Sequence, residues 1–115
     1  MGLLVACVAV LNATSAWGEL SGTEWRRLAQ IERFAYVLGV VDAWRVLVSV
    51  PNNTGRVSPH ERSTAALVRC SESKKVTGEQ AEAIVQKYME QNPAEWSGPM
   101  AGLVWFAFYK ACKEN

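Results

Sequence analysis

From Trp25 onward hydrophobic residues recur every three or four positions, and proline, glycine and asparagine interrupt the pattern. Ser21-Gly22-Thr23-Glu24 has the form of a capping box, in which the serine oxygen accepts an amide while Glu24 reaches back. It predicts one helix from Trp25 to about Val50, a stretch without internal proline. The first half is amphipathic, with Trp25, Leu28, Ile31, Ala35 and Leu38 on one face. The second half, Phe34 to Val50, is apolar nearly all round and broken only by Asp42, Arg45 and Ser49. This predicts a central helix buried on more than one side. Ala35, Gly39 and Ala43 form a stripe of small residues where another helix can come close. Glycine in a helix interior costs about 1 kcal/mol relative to alanine, so Gly39 asks for a packing reason. Pro51 ends the helix, and Asn52-Asn53-Thr54-Gly55 is a polar turn.

Ser58-Pro59-His60-Glu61 is a second capping box, with proline at the first helical position where its missing N–H is harmless. The helix it starts is expected to reach about Arg69, leaving Cys70 to Lys75 as a polar connector. A third helix starts at Thr77-Gly78-Glu79-Gln80. Its apolar face holds Ala81, Ile84, Val85, Tyr88 and Met89. Glu79, Glu82, Gln86, Lys87 and Glu90 form the face expected in water, and Asn92-Pro93 stops it. Ala94 to Gly98 is a tight connection, and Pro99 opens the last helix, Met100 to about Lys113. Between Leu103 and Tyr109 that helix has no charge and carries Trp105, Phe106, Phe108 and Tyr109. Such a helix is central or half-buried in a partner. No strand alternation appears, so the fold expected is all-α, a small bundle of about four helices. Two helices this apolar in so short a chain make a homodimer one expected assembly.

The first eighteen residues follow a different pattern. Gly2 to Leu11 is an uncharged apolar run, and the small residues Ala13, Thr14, Ser15 and Ala16 come soon after it. That is the form of a secretory signal peptide over residues 1–18, with cleavage after Ala16 or Gly18 and a mature domain over 19–115. About ten apolar residues cannot cross a ~30 Å hydrocarbon core, so no stable membrane span is expected. Leu4-Val5-Ala6-Cys7 resembles a lipidation box. The apolar run continues through Val8 to Leu11, however, where a tether should turn polar. Cleavage would remove Cys7 and leave Cys70 and Cys112. An even pair in a short exported chain reads as a disulfide, worth on the order of 4 kcal/mol for a loop of this length. The alternatives are a metal pair, which lacks further ligands, and two inert core thiols.

Composition narrows the function classes. The chain has 115 residues, which suits one domain, and half of them are hydrophobic. Twelve basic against eleven acidic residues leave a formal charge of +1, which points to neither a nucleic-acid partner nor an anionic membrane. The one histidine, His60, stands beside Glu61 in the first turn of a helix, where the dipole disfavours a cation. One histidine and two distant cysteines make no zinc spacing, and no glycine-rich phosphate loop is present. No catalytic constellation, metal or cofactor is expected, and the protein reads as a non-enzyme. Asp42 and Arg45, three apart in apolar surroundings, are expected to form a partly buried structural ion pair that fixes helix orientation. The tryptophans at 25, 44 and 105 read as core. Trp96, beside Glu95 in a loop between a proline and a glycine, reads as an exposed interface anchor. Glu95 and Trp96 are therefore the candidate partner-binding residues.

Tyr36-Val37-Leu38-Gly39-Val40-Val41-Asp42-Ala43 is similar to the aromatic–x–x–Gly–x–x–Asp helix motif of the Rap/Tai-type immunity proteins of bacterial type VI secretion. Val76-Thr77-Gly78-Glu79-Gln80, then Ile84-Val85 and Tyr88, then Asn92-Pro93-Ala94-Glu95-Trp96, resembles that family's second signature. Cys70 and Cys112 fit its closing cysteine pattern. The resemblance covers roughly Ser21 to Cys112. It implies a helical periplasmic protein, often dimeric, that binds a cell-wall amidase toxin and blocks its substrate groove. A reading of another class is a periplasmic stress protein, an acid-type chaperone that exposes apolar helices. A switch of that kind needs carboxylates at the dimer seam, and the two most apolar helices carry only Asp42 between them.

Overall fold

The computed structural model of the protein describes residues 19–50 and 55–114. The expected signal peptide with Cys7, and most of the Asn52-Asn53-Thr54-Gly55 turn, lie outside the described residues. Among the described residues five α-helices follow one another: α1 (Gly22–Arg27), α2 (Gln30–Ser49), α3 (Pro59–Ser73), α4 (Gly78–Gln91) and α5 (Met100–Lys113). A 3₁₀ turn at Pro93–Glu95 joins the last two, and no strand occurs among the described residues. The fold is all-α.

Local chemistry sets three helix starts. Ser21, Ser58 and Thr77 each accept the amide three residues on, while Glu24, Glu61 and Gln80 return the bond to the cap's own N–H. The C-terminus of α3 differs from expectation. The helix continues through Cys70 to Ser73 and closes with Lys75 in the left-handed region at φ 52°. There the Val76 amide donates to the Ser71 carbonyl and the Lys75 amide to Glu72, a satisfied C-terminal turn. Of the polar residues after Arg69, Ser71 is thus buried within the helix, and Glu72 and Ser73 form its surface.

The single helix expected from Trp25 to Val50 is two. Leu28 and Ala29 are extended, at ψ 155° and 153°, and neither proline nor glycine marks the break. Side chains make it. The Trp25 indole N–H donates to the Arg33 carbonyl at 3.3 Å, and the Arg33 guanidinium donates to the Leu28 carbonyl at 2.9 Å. Ala29 has no oxygen with which to cap α2, but Glu32 accepts its amide at 3.1 Å. The break turns α1 so that Trp25 is fully buried. An aromatic of this size removes roughly 150–250 Å² from water, about 4–6 kcal/mol of gross stabilisation. A six-residue helix has little stability of its own, so tertiary packing decides its course.

The core is formed by Trp25, Val37, Val41 and Trp44 with Leu67, Val68, Val85, Met89 and the inner face of α5. Helix α5 packs on α1, α2, α3 and α4, while α3 and α4 each also touch α2. The central helix is therefore α5. Met100, Leu103, Val104, Ala107 and Phe108 are buried on it, and Trp44 meets Phe108 edge-on at 5.6 Å. Helix α2, expected at the centre, buries only Val37, Val41 and Trp44. Cys70 and Cys112 form a disulfide that ties the ends of α3 and α5.

Candidate functional site

Residues 20–23 run alongside the loop that precedes α5. The Gly22 amide donates to the Gly98 carbonyl at 3.1 Å, the Thr23 amide to Trp96 at 2.8 Å, and the Met100 amide to Leu20 at 2.7 Å. Gly22 is required there, because a Cβ would lie 2.6 Å from the Met89 methyl and 2.9 Å from the Trp96 carbonyl oxygen. This latch holds the loop that carries Glu95 and Trp96.

Trp96 is half-buried rather than free. Its indole N–H donates to the Met89 carbonyl at 2.7 Å, and the Arg26 guanidinium lies 3.6 Å from its ring centre. That stacked cation is a favourable cation–π arrangement. Its remaining surface is held in a fixed orientation, so the residue is a fastener of the loop as well as part of its surface. Glu95 is exposed, and its carboxylate accepts the Tyr88 hydroxyl at 2.5 Å. Burial, followed by the Glu95 hydrogen bond and charge, pushes the Tyr88 hydroxyl up to about 12. The structure thus joins Glu95 and Trp96 on one rigid corner backed by α1 and α4.

Asp42 and Arg45 do pair, at 2.9 Å, but in the open. Their side chains are 67 % and 44 % exposed, and Arg45 also reaches Glu72 of α3 at 3.7 Å. The partly buried pair expected is corrected to a surface one. Val41 and Trp44 turn to the core, whereas Asp42 and Arg45 point to the other side of the helix, where Ala43, Val46 and Leu47 are exposed too, and an exposed pair contributes about 0–1 kcal/mol.

The outer face of α2 is the largest departure from expectation. Ile31, Ala35, Gly39, Ala43 and Leu47 fall four apart along one side of the helix, and all are exposed. Ile31 is 71 % and Leu47 69 % exposed, with Val46 and Val50 beside them above half. A Cβ on Gly39 would meet nothing within 4 Å, so no contact among the described residues explains that glycine. A second aromatic patch lies on α5. His60 stacks on Trp105 at 5.7 Å, and Trp105 stacks on Tyr109 at 5.2 Å with Phe106 edge-on. The Trp105 indole donates to the Thr64 hydroxyl at 3.2 Å. His60 is therefore packed against an aromatic ladder, and Cys70 is engaged in the disulfide.

Three residues escaped sequence reasoning. Arg33 caps the end of the α1 turn and pairs with Glu82 of α4 at 3.4 Å, a partner 49 positions away that no local pattern announces. Glu82 and Gln86, expected on a solvated face, are turned partly inward. The Gln86 side-chain carbonyl is buried without a hydrogen-bond partner among the described residues. No cluster of three or more His, Cys, Asp or Glu that could hold a metal occurs among the described residues, and no helix there is long and apolar enough to cross a membrane.

A small helical protein, closed by the Cys70–Cys112 disulfide, with a latched loop and an apolar helix face exposed among the described residues, has the form of a binding protein. The sequence profile of the Rap1a immunity proteins matches residues 3–112, nearly the whole chain. The chain belongs to that immunity protein family. No curated protein and no solved structure matches it.

Proposed function

We propose that the protein is an exported, non-enzymatic inhibitor that protects its cell in type VI secretion by binding a cell-wall amidase and covering its substrate groove. The observation that carries this reading is membership of an immunity family over nearly the full length. Residues 1–18, read as a signal peptide, support delivery to the periplasm, the compartment where a cell-wall amidase acts. The Cys70–Cys112 bridge suits that oxidising compartment.

The partner-binding corner is Glu95 and Trp96. Their loop projects between α4 and α5, is held from behind by Thr23 and Met89, and presents a carboxylate next to an aromatic–arginine stack. Little ordering entropy is lost when so rigid a loop docks, which favours tight binding.

The outer face of α2 supports a homodimer. Large, small, glycine, small, large (Ile31, Ala35, Gly39, Ala43, Leu47) reads the same in both directions about Gly39. Two antiparallel copies crossing at Gly39 set Ile31 against Leu47 and Ala35 against Ala43, as a two-fold interface requires. The glycine lets the two backbones approach. The same exposed face is the feature that would favour an acid-type chaperone.

The test is capture from a periplasmic extract with the purified protein, identified by mass spectrometry. Stoichiometric recovery of a cell-wall amidase is the expected result. Recovery of many unfolded proteins at low pH only would overturn the inhibitor reading in favour of the chaperone.

A further inference from the structure

A groove of about 250 Å³ lies beside the disulfide, walled by the C-terminal halves of α3, α4 and α5. Its floor is apolar, made by Ile84, Phe108 and the Cys70–Cys112 bridge. Lys74, Lys87 and Lys110 stand on its rim, each from a different helix or helix end, and Glu114 is the one carboxylate among its lining residues. Lys110 donates to Gln91 at 3.2 Å. No carboxylate among the described residues lies within ion-pair distance of the three ammonium groups. In a chain whose charges otherwise nearly cancel, this is a local excess of positive charge around an apolar slot.

The chemistry of the walls selects the occupant. All three helices present their C-terminal halves, whose carbonyl ends carry negative partial charge and offer no free amides. Lysines can hold a phosphate as point charges, but the converging amides or arginine fork that would orient one are not among the groove's lining residues. The slot is also smaller than the roughly 300–1,000 Å³ of pockets that hold drug-sized ligands. Separate carboxylates on a flexible backbone can reach the three ammonium groups one by one, while an intervening apolar side chain fills the floor. We infer that this groove receives a short acidic peptide segment, carboxylates flanking an apolar side chain, presented by the protein that the inhibitor neutralises. The identity of that protein rests on the reading above, and the groove's chemistry does not.

The test is a titration of the isotope-labelled protein with the blocked tripeptide Glu-Leu-Glu, followed by backbone amide resonances, with Lys-Leu-Lys as the control. The expected result is saturable shifts grouped at Lys74, Lys87, Gln91 and Cys112. Binding weakens roughly tenfold between about 0.05 and about 0.5 M salt, as screening of exposed charges requires. The variant Lys87→Glu/Lys110→Glu loses the binding at least tenfold, and Lys87→Gln/Lys110→Gln loses part of it with the amide spectrum otherwise unchanged. Scattered or non-saturating shifts, or equal binding of Lys-Leu-Lys, overturn the inference. Failure of the wild-type protein to capture an amidase would instead overturn the inhibitor reading, because the peptide titration does not depend on it.

Discussion

Helices α2 and α5 look alike as strings of residues and behave differently in the fold. Both are apolar on more than one side, but α5 touches the other four helices and buries Met100, Leu103, Val104, Ala107 and Phe108. Helix α2 buries three side chains and leaves Ile31, Val46, Leu47 and Val50 in water. The difference lies in what surrounds them. Helix α5 follows the latched loop and is fixed at its other end by the disulfide, so neighbours close on it from several directions. Helix α2 has α3, α4 and α5 along its inner side only. A helix that is apolar all round can be enclosed by its own chain or covered by another; here α5 is enclosed, while the outer face of α2 is exposed among the described residues.

Four substitutions or treatments sharpen that contrast, from the largest effect to the smallest. Phe108→Ala, at the centre of the enclosed helix, should cost roughly 3–5 kcal/mol, read as a lower denaturant midpoint. Reducing the Cys70–Cys112 bridge should cost about 2–4 kcal/mol. An unchanged melting temperature after reduction would show that α5 does not depend on this tie.

The Tyr88–Glu95 bond gives a third, pH-dependent effect. The hydroxyl is raised from 10.0 to about 12 in the folded chain. Its contribution is therefore complete below pH 10 and is lost as the pH rises toward 12, because the unfolded chain gives up the proton first. Tyr88→Phe should flatten the alkaline decline in stability relative to the parent, and identical decline in both would remove this bond from the account. The smallest effect belongs to the exposed helix. Ile31→Ala should change monomer stability by less than about 0.5 kcal/mol, while sedimentation shows weaker dimerisation. A large loss of stability with no change in association would mean that α2's outer face is covered within the chain.

What could be read in the chain follows the range of the forces involved. Helix starts at Ser21, Ser58 and Thr77 are made by groups three residues apart, and their sequence carries them whole. The bridge follows from counting cysteines once the expected leader is set aside. The break at Leu28 and Ala29 was invisible because Arg33 and Trp25 make it through contacts that exist only after α1 folds back. The Asp42–Arg45 pair was legible as a pair, yet its exposure depends on which side of α2 the bundle occupies. At the candidate site, the Glu95–Trp96 loop could be placed between a proline and a glycine. The Arg26 stack and the Met89 bond that hold Trp96 come from residues distant in the chain or on another helix, and no spacing rule points to them.

The measurement that bears most directly on the central claim is calorimetric titration of the captured amidase with this protein, paired with the enzyme's turnover on cell-wall peptide. Saturation is expected at one inhibitor chain per enzyme, with turnover falling in step with occupancy and recovering in a variant that carries Glu95→Lys. Saturable binding that leaves turnover intact, or no binding at all, would contradict it.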